Sequence, residues 1–391
     1  MKIKMNSLYI GIALMCMMLP ASLKSLPFGI EITVLAMVVC IVSFFLEFGR
    51  IHMCPTLFLL IVLALLELTS TIFNDGNAFV CIKNIITYIA LYYLTIGELS
   101  KNEKVFLKVA LLVFEIYIYI EIVSIILGMD FLGNYNQIYM IFPCFTAMTL
   151  LLRNQTGRKK YTRKFWSTSI IVIFGCFLSQ IIYGTRDLEA TFLISAGILI
   201  LYAIFSQFFE KISMKMCLIG ILFINVTLVI TQSLLNNSVI EYIIQNVLHK
   251  SLNLTGRTDL WKMSVYTIIQ KPIWGYGVSW DGLSIWGGTF VPHNQFLYLA
   301  CVGGLLLVLC LVGWLVYIAY KGDQYSKNDI VFKICQYTLL SQLVLFLTLS
   351  YSIEQLVPFL FVMDVASYYV ERQLGKSKIK KNRKLKIIKR N

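Results

Sequence analysis

The longest polar stretch of this chain begins with Leu254-Thr255-Gly256-Arg257-Thr258-Asp259-Leu260-Trp261. It continues through Lys271-Pro272, Gly275-Tyr276-Gly277 and Pro292-His293-Asn294, and it leads into an apolar run that contains Gly303-Gly304. The spacing predicts an arginine ahead of a helix, a turn after that helix, and a histidine where the chain enters the next apolar run. Long apolar runs lie on both sides of the stretch, so it separates an N-terminal set of apolar runs from a C-terminal set.

The composition excludes an ordinary soluble protein. Hydrophobic residues make up 58% of the 391 residues and charged residues only 14%, whereas soluble domains contain about 25% charged residues. Apolar runs of about 17–25 residues recur along the chain, which is the length that crosses a bilayer as a helix. The sequence therefore predicts an all-α, polytopic integral membrane protein.

The apolar runs predict about twelve transmembrane helices. Nine of them precede the polar stretch, at about 1–20, 28–48, 55–73, 78–97, 105–127, 135–152, 165–183, 188–209 and 214–235. Three follow it, at about 293–320, 330–350 and 354–370. The predicted organisation is helices 1–9 in residues 1–235, a large extracytoplasmic loop in 236–292, helices 10–12 in 293–370, and a basic cytoplasmic tail in 371–391.

The net charge of +14 is distributed as in a membrane protein rather than as in a nucleic-acid-binding protein. Lys and Arg concentrate in alternate loops and at both termini, and the tail from Arg372 to Arg390 alone holds ten of them. Positive residues collect on the cytoplasmic side of a membrane. Both termini are therefore predicted to be cytoplasmic, the loop 236–292 to face outward, and the tail to contact anionic lipid headgroups. No nucleic-acid partner is expected.

The outward loop is predicted to contain two short helices. Apolar residues at helical spacing predict an amphipathic helix over 239–248, which fits packing on lipid and packing on the other spans equally well. Thr258 can cap a second helix. Lys271-Pro272 ends that helix, because proline disfavours helix in the residue before it, and Gly275-Tyr276-Gly277 forms a turn.

Two arginines are candidates for binding phosphate. Arg257 directly precedes the second helix, whose N-terminal N–H groups and dipole already favour an anion, and Gly256 lets the backbone approach closely. Arg186 lies in a short outward turn between two spans. A guanidinium offers a planar pair of donors that matches phosphate oxygens. The structural alternative is that Arg257 pairs with Asp259 or with lipid, and that Arg186 is neutralised by its acidic neighbours.

His293 is the candidate catalytic base. An imidazole with an ordinary pKa of about 6.5 can take a proton from a sugar hydroxyl near neutral pH. The alternative is a purely structural histidine. The ten cysteines lie in or beside apolar runs, without a CxxC or a Cys/His pattern, so neither a metal nor a cofactor is predicted.

The ordered set of motifs in the polar stretch resembles the signature region of the O-antigen polymerase and O-antigen ligase family. The similarity covers roughly residues 165–320, and Thr185 precedes Arg186 where the family more often has serine. The resembling segments are Thr255 to Trp261, Lys271-Pro272, Gly275-Tyr276-Gly277, and His293-Asn294 followed by Gly303.

The resemblance implies a metal-independent glycosyltransferase of the bacterial inner membrane. Its donor would be an oligosaccharide linked to undecaprenyl pyrophosphate at the outer face of the lipid bilayer. His293 would activate the acceptor hydroxyl, while Arg257 and Arg186 would bind the pyrophosphate. A chain-length regulator and a flippase of the same pathway are the expected protein partners. The predicted substrate contacts are Asn294, Gly256, Thr258, Trp261 and Tyr276, with the aromatic rings stacking on sugars.

Three functions are open at this point. The first is a polymerase that joins the repeat units of an O-antigen or a capsule. The second is an O-antigen ligase that moves finished glycan to lipid A core or to another acceptor, with the same donor chemistry. The third is a flippase or transporter of lipid-linked oligosaccharide, which also has about twelve spans but needs polar groups along a central path.

Overall fold

The computed structural model describes residues 5–49, 53–128, 131, 137–183, 190–209, 211–230, 257–325 and 329–388. Within these ranges the chain is helical apart from turns and one short hairpin. The helices before the polar stretch are α1 (Met5–Met17), α2 (Ala21–Lys24), α3 (Gly29–Phe48), α4 (Pro55–Phe73), α5 (Ala78–Ile126), α6 (Gln137–Thr156), α7 (Lys159–Tyr183), α8 (Ala190–Ile204), α9 (Ser206–Phe209) and α10 (Met214–Ile230).

The polar stretch forms a helix and a hairpin, and further helices follow. These elements are α11 (Arg257–Gln270), β1 (Leu283–Ile285), β2 (Gly288–Phe290), α12 (Gln295–Tyr325), α13 (Ile330–Leu345), a 3-10 helix (Ile353–Leu356) and α14 (Val357–Ile388). The strands pair antiparallel around Trp286 and Gly287, whose φ angles of 53° and 78° match a two-residue hairpin turn. Strands of three residues are too short for a periodic sequence signal, so the all-α prediction missed this hairpin.

Five described helical segments are long and apolar enough to cross a membrane, and shorter apolar helices accompany them. The five are α3, α4, α5, α12 and the segment Ile353–Gly375. A helical membrane protein is therefore the class that the structure supports. The count of twelve spans and the cytoplasmic location of both termini stay predictions, and the predicted amphipathic helix at 239–248 lies outside the described residues.

Several boundaries differ from the sequence prediction, and two of the differences have a local physical reason. α12 begins at Gln295 rather than at His293, because His293 has a positive φ and Asn294 caps the helix. The basic tail predicted as a separate segment instead continues α14 as far as Ile388. Lys and Arg are good helix formers and no proline or glycine follows Gly375, so nothing local ends the helix there.

Ion pairs lie at both ends of the helical bundle. Lys101 of α5 pairs with Glu47 and Glu98 at the C-terminal end of α3. Lys83, near the start of α5, pairs with Glu354 at the opposite end of the bundle. About 27 Å of helix separates Lys83 from Lys101 on α5, close to the ~30 Å hydrocarbon core of a bilayer. The apolar middle and the charged ends have the dimensions of a membrane-spanning bundle.

α14 lies near the centre of the bundle and α3 at its periphery. The buried share of the most apolar window is 83% in Ile353–Gly375 but only 22% in α3. α14 packs against α5, α12 and α13, while α12 also packs along α4. The polar stretch is therefore attached to the bundle mainly through α12.

α12 is interrupted at Gly304, whose φ of 71° and ψ of −179° are not helical. Backbone groups released by such a break are costly when they are buried without partners. The turn that follows α11 supplies the partners. Three hydrogen bonds of 2.8 Å join the turn and the broken helix: Tyr276 N–H to the Cys301 carbonyl, Gly277 N–H to the Val302 carbonyl, and Leu305 N–H to the Pro272 carbonyl.

The end of α4 holds the same turn from the other side. The Asn74 side-chain amide donates to the Gly275 carbonyl at 3.0 Å. The Ser70 hydroxyl lies within hydrogen-bond distance of the Trp274 carbonyl and 2.8 Å from the Val302 carbonyl. These bonds join residues 201 and 232 positions apart in the chain. α4, the turn and α12 are thus one structural unit.

Close approach at this junction requires glycine on both sides. Gly275 has a φ of 66°, and a Cβ added there would lie 2.5 Å from the Cys301 carbonyl oxygen. A Cβ added at Gly304 would overlap the backbone of Ile273. The glycines of the sequence motif therefore serve packing between two backbones.

Gly304→Ala is expected to destabilise the protein by about 2 kcal/mol or more, because this backbone region costs a side-chain-bearing residue roughly 1–3 kcal/mol and the Cβ has no space. Gly313→Ala is the matched control, since nothing lies within 4 Å of a Cβ added at Gly313 in the same helix. Thermal melting of the purified variants should show a lower midpoint for Gly304→Ala alone. Equal midpoints would show that the junction tolerates a side chain.

Candidate active site

α11 and α12 lie side by side and run in the same direction. The Cys301 thiol lies 4.0 Å from the Ser264 carbonyl, and Leu305 bonds to Pro272 just beyond the end of α11. Later residues of one helix therefore meet later residues of the other, which brings the two N-termini together. The apolar cluster between the helices contains Trp261, Ile268, Leu297, Ala300 and Cys301.

Arg257 and His293 lie at this shared N-terminal end. Arg257 is the first residue of α11, and His293 comes two residues before α12 begins. Burial lowers the pKa of His293 below its ordinary value, and the positive charge of Arg257 lowers this pKa further. The two side chains are therefore close enough to interact electrostatically, and the imidazole is neutral near pH 7.

The backbone of His293 adopts a left-handed conformation, with a φ of 50°. Residues with a side chain rarely enter this region, although histidine does so more often than most. The cost is about 1–3 kcal/mol, and such outliers cluster at functional sites. Because Pro292 before it and Asn294 after it are both buried, the surrounding structure holds the imidazole in this orientation.

Asn294 fixes the position of the neighbouring histidine. Its side-chain oxygen accepts the N–H groups of Phe296 and Leu297 at 3.1 Å each and so caps α12. Its side-chain nitrogen donates to the Asn225 side chain at 2.6 Å and to the Leu347 carbonyl at 3.2 Å. Asn294 is 0% exposed, and the hydrogen-bond donors and acceptor of its side chain are bonded to other groups of the protein. These bonds give Asn294 a positioning role, and its predicted contact with substrate stays a prediction.

Gln295 connects the corner formed by Arg257, His293 and Asn294 to the segment after α13. Its side chain accepts the N–H of Tyr351 at 2.6 Å and donates to the Tyr351 carbonyl at 3.2 Å. The Ser350 hydroxyl accepts the N–H of Asn294 at 3.0 Å. The sequence prediction missed Gln295 and Asn225. Asn225 carried a usable signal, because a polar side chain inside an apolar run is costly and calls for a partner.

Two predicted substrate contacts lie away from this corner. Trp261 is 1% exposed and packs between α11 and α12, so its ring is not open to a sugar. Tyr276 follows the far end of α11, whose 14 residues extend for about 21 Å. Its hydroxyl donates to Gln270 at 3.0 Å. The predicted stacking of the two rings on sugars stays a prediction.

The remaining predicted residues divide between the corner and the undescribed chain. Thr258 lies next to Arg257, inside the first turn of α11 rather than at its cap, because the helix begins one residue earlier than predicted. Arg186 and Gly256 lie outside the described residues. Among the residues that are described, no group of three or more His, Cys, Asp or Glu side chains comes together as a metal site would require.

Replacing Arg257 by glutamine is expected to raise the pKa of His293 without restoring it to about 6.5, because burial is the larger cause of the lowered pKa and persists. The pH dependence of diethylpyrocarbonate modification, read by mass spectrometry of the peptide that contains His293, measures this pKa. The wild-type midpoint should be the lowest, and the midpoint of Arg257→Gln should lie between the wild-type value and about 6.5. Lys262→Gln, an exposed residue of the same helix, is the control and should match wild type. An unchanged midpoint in Arg257→Gln would show that the charge of Arg257 does not act on His293.

No protein-family model, curated protein or solved structure matches this chain. The resemblance of its polar stretch to the O-antigen polymerase and O-antigen ligase family therefore stays a prediction from sequence motifs. Function has to be inferred from the chemistry that the side chains make available where α11 and α12 begin.

Proposed function

We propose that this protein is a membrane glycosyltransferase that polymerises the repeat units of a bacterial surface polysaccharide. The donor is an oligosaccharide linked to undecaprenyl pyrophosphate, and the acceptor is a hydroxyl of another lipid-linked glycan. One observation carries the proposal: where two parallel helices begin, the positive charge of Arg257 lowers the pKa of the half-buried His293. A cation and a base side by side are the groups that glycosyl transfer from a diphosphate uses.

The diphosphate is assigned to the Arg257 side of the corner. The first N–H groups of α11 and the helix dipole favour negative charge, and the guanidinium can donate two parallel hydrogen bonds to phosphate oxygens. Negative charge grows on the diphosphate as its bond to the sugar breaks, so a fixed cation lowers the barrier. Arg186 is proposed as a second cation, on the basis of its predicted outward turn.

His293 is assigned the role of general base. The neutral imidazole takes the proton of the acceptor hydroxyl while that oxygen attacks the anomeric carbon. The bond between the anomeric carbon and the diphosphate oxygen breaks, and the diphosphate leaves with the bonding electrons. The imidazolium then releases its proton to water. Because displacement is direct, the anomeric configuration of the transferred sugar is inverted.

The apolar bundle is the proposed route for the lipid. We propose twelve spans in the bacterial inner membrane, both termini in the cytoplasm, and the Arg257–His293 corner at the outer face, as the distribution of Lys and Arg predicts. The undecaprenyl chain enters sideways between helices while the sugar stays in water. A flippase delivers the donor to the outer face, and a chain-length regulator acts on the product.

Transfer by purified protein is the test of this function. The protein is reconstituted with undecaprenyl-pyrophosphate-linked repeat units, and products are resolved by chain length. His293→Ala and Arg257→Ala are each expected to lower the rate by about 100-fold or more, the usual loss when a general base or a transition-state cation is removed. Lys262→Ala, on the same helix as Arg257, should keep the wild-type rate.

Each variant is first compared with wild type by size exclusion and thermal melting, so that a misfolded protein is not taken for an inactive one. A folded His293→Ala protein that makes normal ladders would overturn the assignment of the base. Transfer to lipid A core without polymerisation would replace the polymerase by a ligase. Translocation of the lipid-linked donor without any transfer would replace the enzyme by a flippase.

A further inference from the structure

A cavity with polar and apolar walls lies at the end of the bundle that holds the Lys83–Glu354 pair. Its volume is about 130 Å³, and α1, α3, α5, α6 and the 3-10 helix surround it. A closed cavity of ~150 Å³ binds benzene, so this partly open one has room for part of a sugar ring and one of its substituents. The cavity is partly open to the surface, and two of its lining residues, Lys24 at the end of α2 and Glu354 in the 3-10 helix, have partly exposed side chains.

Three charged side chains converge on the cavity. Lys24 pairs with one carboxylate oxygen of Glu354 and Lys83 pairs with the other. The side chains of Lys24 and Glu354 are each 30% exposed, and that of Lys83 is 15% exposed. Two ammonium groups around one carboxylate leave a net charge of +1. The lysine pair already holds a carboxylate in this structure, namely that of Glu354.

Neutral polar groups and an apolar wall complete the lining. The amide side chains of Asn84 and Gln137 face the same cavity, and Met17, Met37 and Ile141 line it as well. Amides both donate and accept hydrogen bonds, which suits hydroxyl groups. A pocket with apolar walls and a few convergent polar groups is the usual form of a small-molecule site.

The cavity is tied to the corner that holds His293. Ser350 bonds to Asn294, and Tyr351 bonds twice to Gln295. From Ser350 to Glu354 the chain can extend for at most about 14 Å. One glycan can therefore contact both places on the same side of the bundle.

We propose that this cavity binds a carboxylate-bearing monosaccharide unit, of the uronic acid class, in the acceptor glycan. That the unit belongs to an acceptor rests on the proposed glycosyl transfer, whereas binding itself does not. A single negative charge brings the cavity to neutrality, while a phosphate dianion would leave an uncompensated charge in a partly buried site, which is costly. A neutral sugar leaves the lysine charge unmatched.

Binding of free monosaccharides to the detergent-purified full-length protein tests this proposal. Saturation-transfer NMR titrations compare glucuronate with glucose, and inorganic phosphate, which has no carbon-bound proton to observe, is added as a competitor that displaces glucuronate. Glucuronate is expected to bind at least about tenfold more tightly than glucose, since one charge-assisted hydrogen bond separates them. Lys83→Met should weaken the binding of glucuronate by about the same factor, because it removes the less exposed of the two lysine charges. Lys262→Met, an exposed lysine outside the cavity, is the control and should leave both affinities unchanged.

Glu354→Gln provides a second test that does not depend on Lys83→Met folding correctly. It removes the internal carboxylate and raises the net charge of the cavity, so glucuronate should bind more tightly. Equal affinity for glucose and glucuronate, unchanged binding in both variants, or tighter binding of phosphate than of glucuronate would each overturn the proposal. These titrations need no donor lipid, so their failure is distinct from failure of the transferase assay.

Discussion

The structure depends on the insertion of one turn into the break of α12. Backbone hydrogen bonds from Tyr276 and Gly277 satisfy carbonyls that a continuous helix would have satisfied itself, and Asn74 of α4 holds the turn from behind. This junction fixes the end of α11 against α12 and therefore sets their parallel alignment. The apolar cluster between α11 and α12 and a hydrogen bond of 3.3 Å from the Val278 N–H to the Thr71 hydroxyl also attach the polar stretch to the bundle.

Parallel alignment has a consequence at the other end of α11. Because the helices start at the same level, the first residue of α11 lies beside the residues that lead into α12. Asn294 caps α12 and uses its remaining donors on Asn225 and Leu347, so the histidine before it has little freedom. The imidazole is kept neutral by burial and by Arg257. The same arrangement that packs the loop thus places a neutral imidazole near a cation.

Sequence patterns were sufficient for some features and insufficient for others. Apolar run lengths were sufficient for the helical membrane class, and Lys271-Pro272 correctly marked the end of α11. The turn at Gly275 and Gly277 was predicted but the packing role of Gly275 and Gly304 was not, since it depends on contacts with the Cys301 and Ile273 backbones that no local pattern encodes. Trp261 and Asn294 were predicted as substrate contacts, and their burial in the structure is a tertiary property that the sequence did not indicate. Lys24, Lys83 and Glu354 come together only through tertiary structure, so single-sequence reasoning had no means of linking them.

The central claim is that a diphosphate binds between Arg257 and His293. The most direct measurement is the pKa of His293 with and without inorganic pyrophosphate, in wild type and in Arg257→Gln. An anion beside the imidazole favours its protonated form, so pyrophosphate should raise the pKa of His293 in wild type and have little effect in Arg257→Gln. No change in wild type, or an equal rise in both proteins, would contradict a diphosphate site at this corner.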